Sequence, residues 1–183
     1  MPDSRMRLVL ASASPQRRAI LEQLGIEFTV QPAEIEELSA GDPHHVVVEN
    51  ARRKARAVDG DVVLGCDTEV ILDGHVFGKP ADEDEARTFL RRLSGRTHEV
   101  FGGIVVRRGG DERSGVCVTK VRFRTLEASE IEAYLATGEW RNRAGGYAIQ
   151  GRGAVLVEEI EGDFWNVVGL PVPELVRLFK SPC

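Results

Sequence analysis

Cysteine is scarce in this sequence, and the few that occur are widely separated. Cys66, Cys117 and Cys183 are the only three in 183 residues. An odd number at such spacing matches neither a disulfide framework nor a zinc site, and it indicates a reducing compartment. No apolar run approaches the length that spans a membrane, and the N-terminus lacks the apolar stretch of a signal peptide. We therefore expect a cytoplasmic protein with no membrane partner.

Several motifs that identify common catalytic classes are also missing. The sequence has no Walker-type phosphate loop, no dinucleotide-binding glycine fingerprint and no nucleophile elbow of the G-x-S-x-G form. Ser12 and Ser14 have no obvious histidine partner, which disfavours serine hydrolase chemistry. The formal net charge is −5, whereas nucleic-acid-binding domains are usually basic. A nucleic acid polymer is therefore not an expected partner, although a local cationic pocket is compatible with this charge.

The composition is that of an ordinary globular protein, with 42% hydrophobic and 29% charged residues. No repeat, low-complexity segment or linker divides the chain, so we expect residues 1–183 to form a single domain with room for two small lobes. Helical and strand patterns alternate throughout, which predicts the α/β class with a mixed sheet.

Apolar periodicity, capping residues and turn residues predict the individual elements. The predicted strands are 6–11, 27–31 and 61–66, a hairpin over 69–80 turning at Asp73-Gly74, a long pair over 98–125, and two strands after residue 154. The predicted helices start at Pro15, after Asp42-Pro43, near residue 82, near residue 128 with Ser129 or Thr125 as its cap, and after Pro171. The segments 33–43 and 142–154 are predicted to be an acidic loop and a glycine-rich loop.

The segment "VLASASPQRRAIL" (9–21) passes from a strand pattern to a helix pattern. Between the two lie the hydroxyl groups of Ser12 and Ser14 and the cations Arg17 and Arg18. A helix N-terminus presents free backbone N–H groups and a dipole that favours anions. We interpret this segment as one that holds a phosphate.

Lys54 lies on the apolar face of the predicted helix that follows Pro43. It comes seven residues after Val47, which places it on the buried face, with Asn50 beside it. Two interpretations are open. The aliphatic part of the Lys54 side chain can pack at the edge of the apolar face while the ammonium reaches water, or the ammonium can face inward and bind an anion.

Other charged residues also have two interpretations. Asp67 follows a buried strand, and ligands of open α/β sheets collect at the carboxyl ends of such strands. It could hold a metal or take a proton from water, or it could be a turn or capping residue. Lys79, in "GKP", could contact a phosphate or simply be exposed. Glu37 belongs with Glu34 and Glu36 to an acidic cluster that is either solvated surface or a source of magnesium ligands.

The motifs resemble those of a known family. "LASASPQRR", "ENARRKA", "GCDTEV", "GKP", "LRRLSGRTHEV", "AGGYAIQGRGA" and "NVVGLP" occur in the order found in the Maf family of nucleoside triphosphate pyrophosphatases. The resemblance covers nearly the whole chain. It implies the inosine-triphosphatase-like (Maf/Ham1) fold, with a mixed twisted sheet, two lobes and a central nucleotide cleft. It also implies a nucleotide house-cleaning hydrolase that uses Mg²⁺ or Mn²⁺ to convert a nucleoside triphosphate to the monophosphate and pyrophosphate.

The resemblance also implies roles for individual residues. The catalytic base of the family falls on Asp67, and its acidic residue near the metal falls on Glu37, so that Glu37 and Asp67 are the expected metal ligands. The phosphate-binding residues fall on Ser12, Arg17, Lys54 and Lys79, of which the two lysines are expected to act in catalysis with Asp67. Ser14 and Gln16, in the same first motif, are expected to contact substrate as well.

Substrate choice divides the family into branches. Thr68 and Gln150 match the branch that prefers dTTP and UTP, whereas Gln16 matches neither this branch nor the one that prefers 7-methyl-GTP. Arg143 also stands where lysine is usual. We therefore expect hydrolysis of dTTP, UTP and modified pyrimidine analogues, with 7-methyl-GTP or a broad range of triphosphates as the alternative.

Two further alternatives come from other functional classes. One is a nucleotide-binding regulator of cell division without turnover, which the family's link to septum formation suggests. The other is a nucleotidyltransferase that uses the same cations. A homodimer is compatible with the sequence, which does not specify the oligomeric state.

Overall fold

The computed structural model describes residues 7–180, which contain seven β-strands and six α-helices. The strands are β1 (Leu8–Leu10), β2 (Phe28–Val30), β3 (Val62–Leu72), β4 (His75–Phe77), β5 (Thr97–Arg108), β6 (Asp111–Phe123) and β7 (Val157–Glu161). The helices are α1 (Pro15–Gln23), α2 (Pro43–Arg56), α3 (Glu83–Leu93), α4 (Ala128–Leu135), α5 (Phe164–Val168) and α6 (Val172–Lys180). Two short 3-10 helices cover Ala144–Gly146 and Arg152–Leu156.

The strands form one seven-stranded sheet in the order β2-β1-β3-β5-β6-β7, with β4 paired to β3. β1 is parallel to both of its neighbours, β2 and β3. β4 is antiparallel to β3, and β7 is antiparallel to β6. The α/β class and the mixed sheet predicted from the alternating patterns are therefore confirmed.

Two compact units can be distinguished in the chain. The first comprises the described residues up to Thr68, Gly102–Cys117 and the described residues from Gly169 onward. Its buried side chains include an aliphatic cluster between β1, α2, β3 and β5: Val9, Ala11, Ala51, Ala55, Val58, Val63 and Val105.

The second unit comprises Glu69–Phe101 and Val118–Val168. Its core contains most of the buried aromatic rings, among them Phe77, Phe123, Tyr134, Trp140 and Tyr147.

The start signals of α1 and α2 and the turn signal between β3 and β4 act where the sequence predicts them. Ser14 is the N-cap of α1, and Pro15 occupies its first turn. Asp42 caps α2 in the same way, through a hydrogen bond from the His45 backbone N–H. Asp73 and Gly74 both have positive φ, at 50° and 75°. This is the backbone conformation that a tight two-residue hairpin needs between β3 and β4, so the predicted turn is confirmed.

Some predicted elements are wrong in detail. Neither Ser129 nor Thr125 caps α4; Glu127 does so, through a capping box in which the Glu130 carboxylate accepts from the Glu127 backbone N–H. After the glycine-rich loop there is one strand, β7, followed by the short helix α5 in place of a second strand. The Asp163 carboxylate accepts from the Trp165 backbone N–H at 2.9 Å. This bond favours the start of helix α5 at a place where the apolar residues alone resemble a strand.

The remaining predictions concern the chain ends, membrane spans, location and partners. Met6, in the first predicted strand, and Cys183 lie outside the described residues. Within residues 7–180, no helix is long and apolar enough to cross a membrane. The cytoplasmic location, the lack of a nucleic acid partner and a homodimer all stay predictions.

Candidate active site

Asp67 lies inside strand β3 and is buried, with 7% of its surface exposed. The prediction that it marks the end of this strand is wrong, because β3 continues to Leu72. Residues Val70 to Leu72 pair with β4, and this pairing extends the strand beyond the polar residues that follow Cys66. Asp67 is thus a polar residue in the middle of an eleven-residue strand.

Helix α2 lies directly against the strands of the first unit because glycine replaces larger residues at the contacts. A Cβ atom on Gly65 would lie 2.1 Å from the Ala51 carbonyl oxygen, and one on Gly103 would lie 2.1 Å from the Val47 carbonyl oxygen. No side chain fits at such distances. This close approach brings the buried face of α2 next to β3 near Asp67.

Lys54 is on that buried face, as its spacing predicts, and its ammonium group faces two carboxylates. The Nζ atom lies 2.7 Å from Asp67 Oδ1 and 2.6 Å from Glu37 Oε1. The Lys54 side chain is 11% exposed, and that of Glu37 is 53% exposed. The interpretation in which the ammonium only reaches water is therefore wrong. Lys54 joins a buried strand carboxylate to a more exposed loop carboxylate.

Asn50 lies one turn before Lys54 on the same face and is 1% exposed. Its Nδ2 group donates to Asp67 Oδ2 at 3.1 Å and to the Leu38 carbonyl oxygen at 3.0 Å. Its Oδ1 atom accepts from the Leu38 backbone N–H at 2.7 Å. Each oxygen of the Asp67 carboxylate thus has its own donor, one from Lys54 and one from Asn50.

The hydroxyl groups between β1 and α1 form a second network. The Ser14 backbone N–H donates to Ser12 Oγ at 3.2 Å, and the Arg17 backbone N–H donates to Ser14 Oγ at 3.4 Å. Ser14 Oγ donates to Gln16 Oε1 at 2.8 Å. Arg18 does not take part; it is exposed and pairs with Glu22 along α1.

Arg17 is the centre of this second network, and it is 8% exposed. Its Nε atom donates to the Gly169 carbonyl oxygen at 2.9 Å, Nη1 donates to Ser12 Oγ at 2.8 Å and Nη2 donates to Thr68 Oγ1 at 3.0 Å. All of these acceptors are neutral. Among the residues that the structure describes, no carboxylate lies within ion-pairing distance of this guanidinium. Arg17 is thus a buried cation without a counter-ion, which is an unusual and costly arrangement.

The two networks adjoin along the chain, because Asp67 and Thr68 are consecutive residues of β3. All of the predicted site residues of the first unit belong to one network or the other: Ser12, Ser14, Gln16, Arg17, Glu37, Lys54, Asp67 and Thr68.

Lys79 and Gln150 belong to the second unit, where both are exposed. Their side chains make no hydrogen bond or ion pair with a described residue, but the backbone around each is held in place. The Gly145 backbone N–H donates to the Gly78 carbonyl oxygen at 3.1 Å, which joins the Lys79 turn to the glycine-rich loop. The Arg152 backbone N–H donates to Glu139 Oε2 at 2.8 Å, which secures the loop just after Gln150.

The carboxylates can be tested for their fit to a divalent cation. Glu37 and Asp67 both lie within hydrogen-bonding distance of the same Lys54 nitrogen, so their oxygens share one small region. Within residues 7–180, no group of three or more acidic, histidine or cysteine residues forms a metal cage. Mg²⁺ is commonly held by one or two carboxylates together with substrate phosphates. A pair of carboxylates therefore fits a cation that is shared with a polyphosphate.

Two other titratable residues near the sheet can be assigned structural roles. Burial raises the pKa of Cys66 to about 11, which disfavours a reactive thiolate at this position. Burial lowers the pKa of His98 to about 4, and its neutral ring is hydrogen-bonded to the Tyr147 hydroxyl at 2.8 Å in the second core.

The sequence prediction missed the role of Asn50 and the contact between Arg17 and Gly169. Asn50 had one visible signal, since a polar amide on the buried face of α2 needs hydrogen-bond partners. Nothing local indicates Gly169, whose contribution is a backbone carbonyl 152 residues away from Arg17.

Comparison with known proteins shows similarity along nearly the whole chain. The sequence profile of a family described as "Maf-like protein" matches residues 7–181. A protein of Anaeromyxobacter dehalogenans (strain 2CP-1) named dTTP/UTP pyrophosphatase is 49% identical over 180 residues, covering 95% of this chain and 93% of its own. A protein of Thermococcus onnurineus (strain NA1) with the same name is 49% identical over 175 residues, covering 93% of this chain and 95% of its own. The solved structure of the Staphylococcus aureus Ham1 protein overlays on 64% of this chain and 71% of its own, with a TM-score of 0.46 and 12% identity.

Proposed function

The chain belongs to the Maf family, and we propose that it hydrolyses dTTP and UTP to the monophosphate and pyrophosphate. Relatives that are 45–49% identical over most of their length bear the name dTTP/UTP pyrophosphatase. The observation that carries the proposal is that consecutive residues of β3, Asp67 and Thr68, bind a buried lysine and a buried arginine. Asp67 is a buried carboxylate bound to a lysine, and Thr68 accepts from a buried guanidinium that has no counter-ion among residues 7–180.

Arg17 supports the binding of an anion in two ways. No described carboxylate compensates its charge, so a phosphate nearby would offset the cost of burying it. Its N–H groups also occupy acceptor positions on Ser12 Oγ and Thr68 Oγ1. With an acceptor position used on each oxygen, the hydroxyl protons of Ser12 and Thr68 are directed away from Arg17 and can donate to a substrate oxygen.

Lys54 has one donor left for a phosphate. An ammonium group has three N–H bonds; one of them donates to Asp67 Oδ1, and the nitrogen also forms an ion pair with Glu37 Oε1 at 2.6 Å. A further N–H can bind a substrate oxygen without breaking either pair. Lys79, exposed on a constrained turn, supplies a further cation to the polyphosphate in this proposal.

Asp67 is the residue that we assign to the reacting water. Its carboxylate orients the water and accepts its proton while the water oxygen bonds to the α-phosphorus. The bond from the α-phosphorus to the oxygen that bridges it to the β-phosphorus breaks, and pyrophosphate leaves with that oxygen. When bound at Glu37 and Asp67, Mg²⁺ or Mn²⁺ would offset phosphate charge and favour ionisation of the water. Lys54 holds the Asp67 carboxylate in place and stabilises the charge that develops on the phosphate oxygens.

The first test is the identity of the products. Purified protein with Mg²⁺ is expected to convert UTP to UMP and pyrophosphate, because the attack is at the α-phosphorus. In water enriched with ¹⁸O, the label should enter UMP and not pyrophosphate, as mass spectrometry would show. Orthophosphate as the first product would contradict this assignment. Binding of UTP without turnover would indicate the regulator, and turnover only with an acceptor would indicate the nucleotidyltransferase.

Gln150 is the residue that we propose reads the base. Uracil and thymine present an acceptor at O4 beside a donor at N3, and a glutamine amide offers one donor and one acceptor. The Gln150 side chain is exposed and unbonded within the described part of the chain, while Glu139 fixes the loop that carries it. Its amide is therefore free to bind a ligand from a defined backbone position.

Replacing this amide is expected to change substrate choice more than the best rate. Gln150→Leu should lower the ratio of kcat/KM for UTP to that for CTP by about tenfold or more. A site that hydrogen-bonds the base strongly rejects a base that leaves its polar groups unpaired, and leucine has no such groups. Steady-state kinetics with UTP, dTTP, CTP and 7-methyl-GTP measure this ratio. Gln23→Leu, an exposed glutamine at the end of α1, is the matched control and should leave the ratio unchanged. A wild-type preference for 7-methyl-GTP over UTP would contradict the proposed branch.

Gln16 is proposed to widen the substrate range. It accepts from Ser14 Oγ and is half-buried beside the anion-binding network, but it is neutral. An arginine at this place would add a charge and a rigid fork of donors. Adding ATP, GTP and a modified pyrimidine triphosphate to the same substrate panel tests whether modified and purine triphosphates are accepted.

A further inference from the structure

Asn50 is a buried polar residue whose partners lie in two separate segments of the first unit. It belongs to α2 and is bonded both to Leu38, in the loop before α2, and to Asp67, in β3. The loop segment 31–39 has no regular secondary structure, so the Leu38 backbone has no strand partner. The Asn50 amide bonds to both the N–H and the C=O of Leu38, as a neighbouring strand would do.

The chemistry of the partners allows only one orientation of the Asn50 amide. The Leu38 carbonyl and the Asp67 carboxylate are acceptors, so they require the NH₂ group. The Leu38 N–H is a donor, so it requires the oxygen. A flipped amide would face like groups at all three contacts. Asn50 therefore sets the position of Leu38 relative to Asp67.

Glu37 is the residue whose position depends on this bond. Leu38 is its immediate neighbour, and on its other side the Glu36 carbonyl accepts from Arg53 Nη1 at 3.0 Å. The loop is thus held by side chains of α2 on both sides of Glu37. The Arg53 side chain is 38% exposed, whereas Asn50 is buried, so Asn50 makes the stronger attachment.

We propose that Asn50 is a positioning residue that holds the loop carboxylate of Glu37 in place relative to the strand carboxylate of Asp67, so that the two can share one divalent cation. This role rests on the proposed function. Asn50 does not touch the reacting atoms; it acts through Leu38 and Asp67. Asn50 holds the pair of metal ligands, Glu37 and Asp67, in place. The cations that bind phosphate are not bonded to Asn50.

The expected effect is therefore on metal binding more than on nucleotide binding. Asn50→Ala should raise the Mn²⁺ concentration that gives half the maximal rate by about tenfold to a hundredfold, the usual effect of losing a group that orients a metal ligand. The KM for UTP at saturating Mn²⁺ should change by less than about threefold. A purely structural role would lower thermal stability without separating these two parameters.

A binding measurement without turnover provides an independent readout. Electron paramagnetic resonance can follow Mn²⁺ in the presence of the α,β-methylene analogue of UTP, which cannot be cleaved at the α-phosphorus. Asn50→Ala should weaken Mn²⁺ binding here by the same factor. Arg52→Ala is the matched control, because Arg52 lies on α2 but pairs with Glu49 and Glu112 away from Asp67.

A double-mutant cycle tests whether Asn50 affects Mn²⁺ binding through Glu37. If Asn50 acts through Glu37, then Asn50→Ala should shift Mn²⁺ half-saturation by less than about threefold once Glu37→Gln is present, because neighbouring residues that act together are not additive. Equal shifts in both backgrounds would overturn the role assigned to Asn50.

Hydrogen exchange on the wild-type protein covers the case in which the variants do not fold. The Leu38 amide bonds to a buried side chain, so it should exchange at least about tenfold more slowly than the Glu37 amide beside it. Equal exchange rates for the Leu38 and Glu37 amides would overturn the proposal that Asn50 holds this loop in place. Failure of the wild type to release pyrophosphate would contradict the proposed function alone. Hydrogen exchange at Leu38 and Mn²⁺ binding would still test the role of Asn50.

Discussion

Asp67→Asn is expected to lower kcat/KM for UTP by about a hundredfold or more, the scale of losing a general base. The substitution keeps the shape of the side chain but removes the charge that accepts a proton from water and helps to hold a cation. Steady-state assays at saturating Mg²⁺ would measure the loss. Near-wild-type turnover in a well-folded variant would remove Asp67 from the proposed mechanism.

The surroundings of Asp67 also predict a cost in stability for this variant. Lys54 donates to one carboxylate oxygen and Asn50 donates to the other. An asparagine amide would have to place its NH₂ group against one of these donors, whichever way it is turned. We expect the free energy of unfolding to fall by about 1–3 kcal/mol, the cost of an unsatisfied buried polar group. Chemical denaturation measures this change, and activity should be assayed well below the unfolding transition.

Asp61→Asn is the matched control for both effects. Asp61 immediately precedes the same strand, β3, but it is exposed. Removing its charge should change neither activity nor stability by a measurable amount. A comparable loss in Asp61→Asn would mean that the effect of Asp67→Asn reflects the charge of the strand region in general.

Lys54→Met is expected to lower kcat/KM for UTP by about a hundredfold or more, because it removes a donor aimed at the charge that develops on phosphate. Methionine fits the buried face of α2, so packing alone would predict level stability. The ion pairs with Asp67 and Glu37 change that expectation. Removing the lysine leaves a buried carboxylate without a cation, at a cost of about 3–5 kcal/mol in the free energy of unfolding.

The double variant Lys54→Met/Asp67→Asn separates the two consequences. Neutralising Asp67 removes the uncompensated charge, so most of the stability lost in Lys54→Met should return, while activity should stay low. Denaturation and steady-state kinetics on the four members of the cycle would measure both. Unchanged kinetics in Lys54→Met would contradict a role for this lysine in binding phosphate.

Features with local causes could be predicted from short stretches of sequence. Ser14 and Pro15 determine the start of α1, and Asp73-Gly74 determines the turn between β3 and β4. The spacing of apolar residues placed Lys54 on the buried face of α2. Each of these depends on hydrogen bonds or on a periodicity within a few residues, so a window of that size contains the cause. The motifs of the family added the roles expected of Asp67, Glu37 and Gln150.

Features that depend on distant partners were decided by the tertiary structure. Asp67 lies within β3 because β4 pairs with the residues that follow it. Asn50 meets residues 12 and 17 positions away, and Arg17 meets Thr68 and Gly169 at separations of 51 and 152. Such contacts arise from strand pairing and from the close approach of α2 that Gly65 permits. A local pattern can show that Asn50 or Arg17 is buried and needs partners, but the path of the chain decides which groups those partners are.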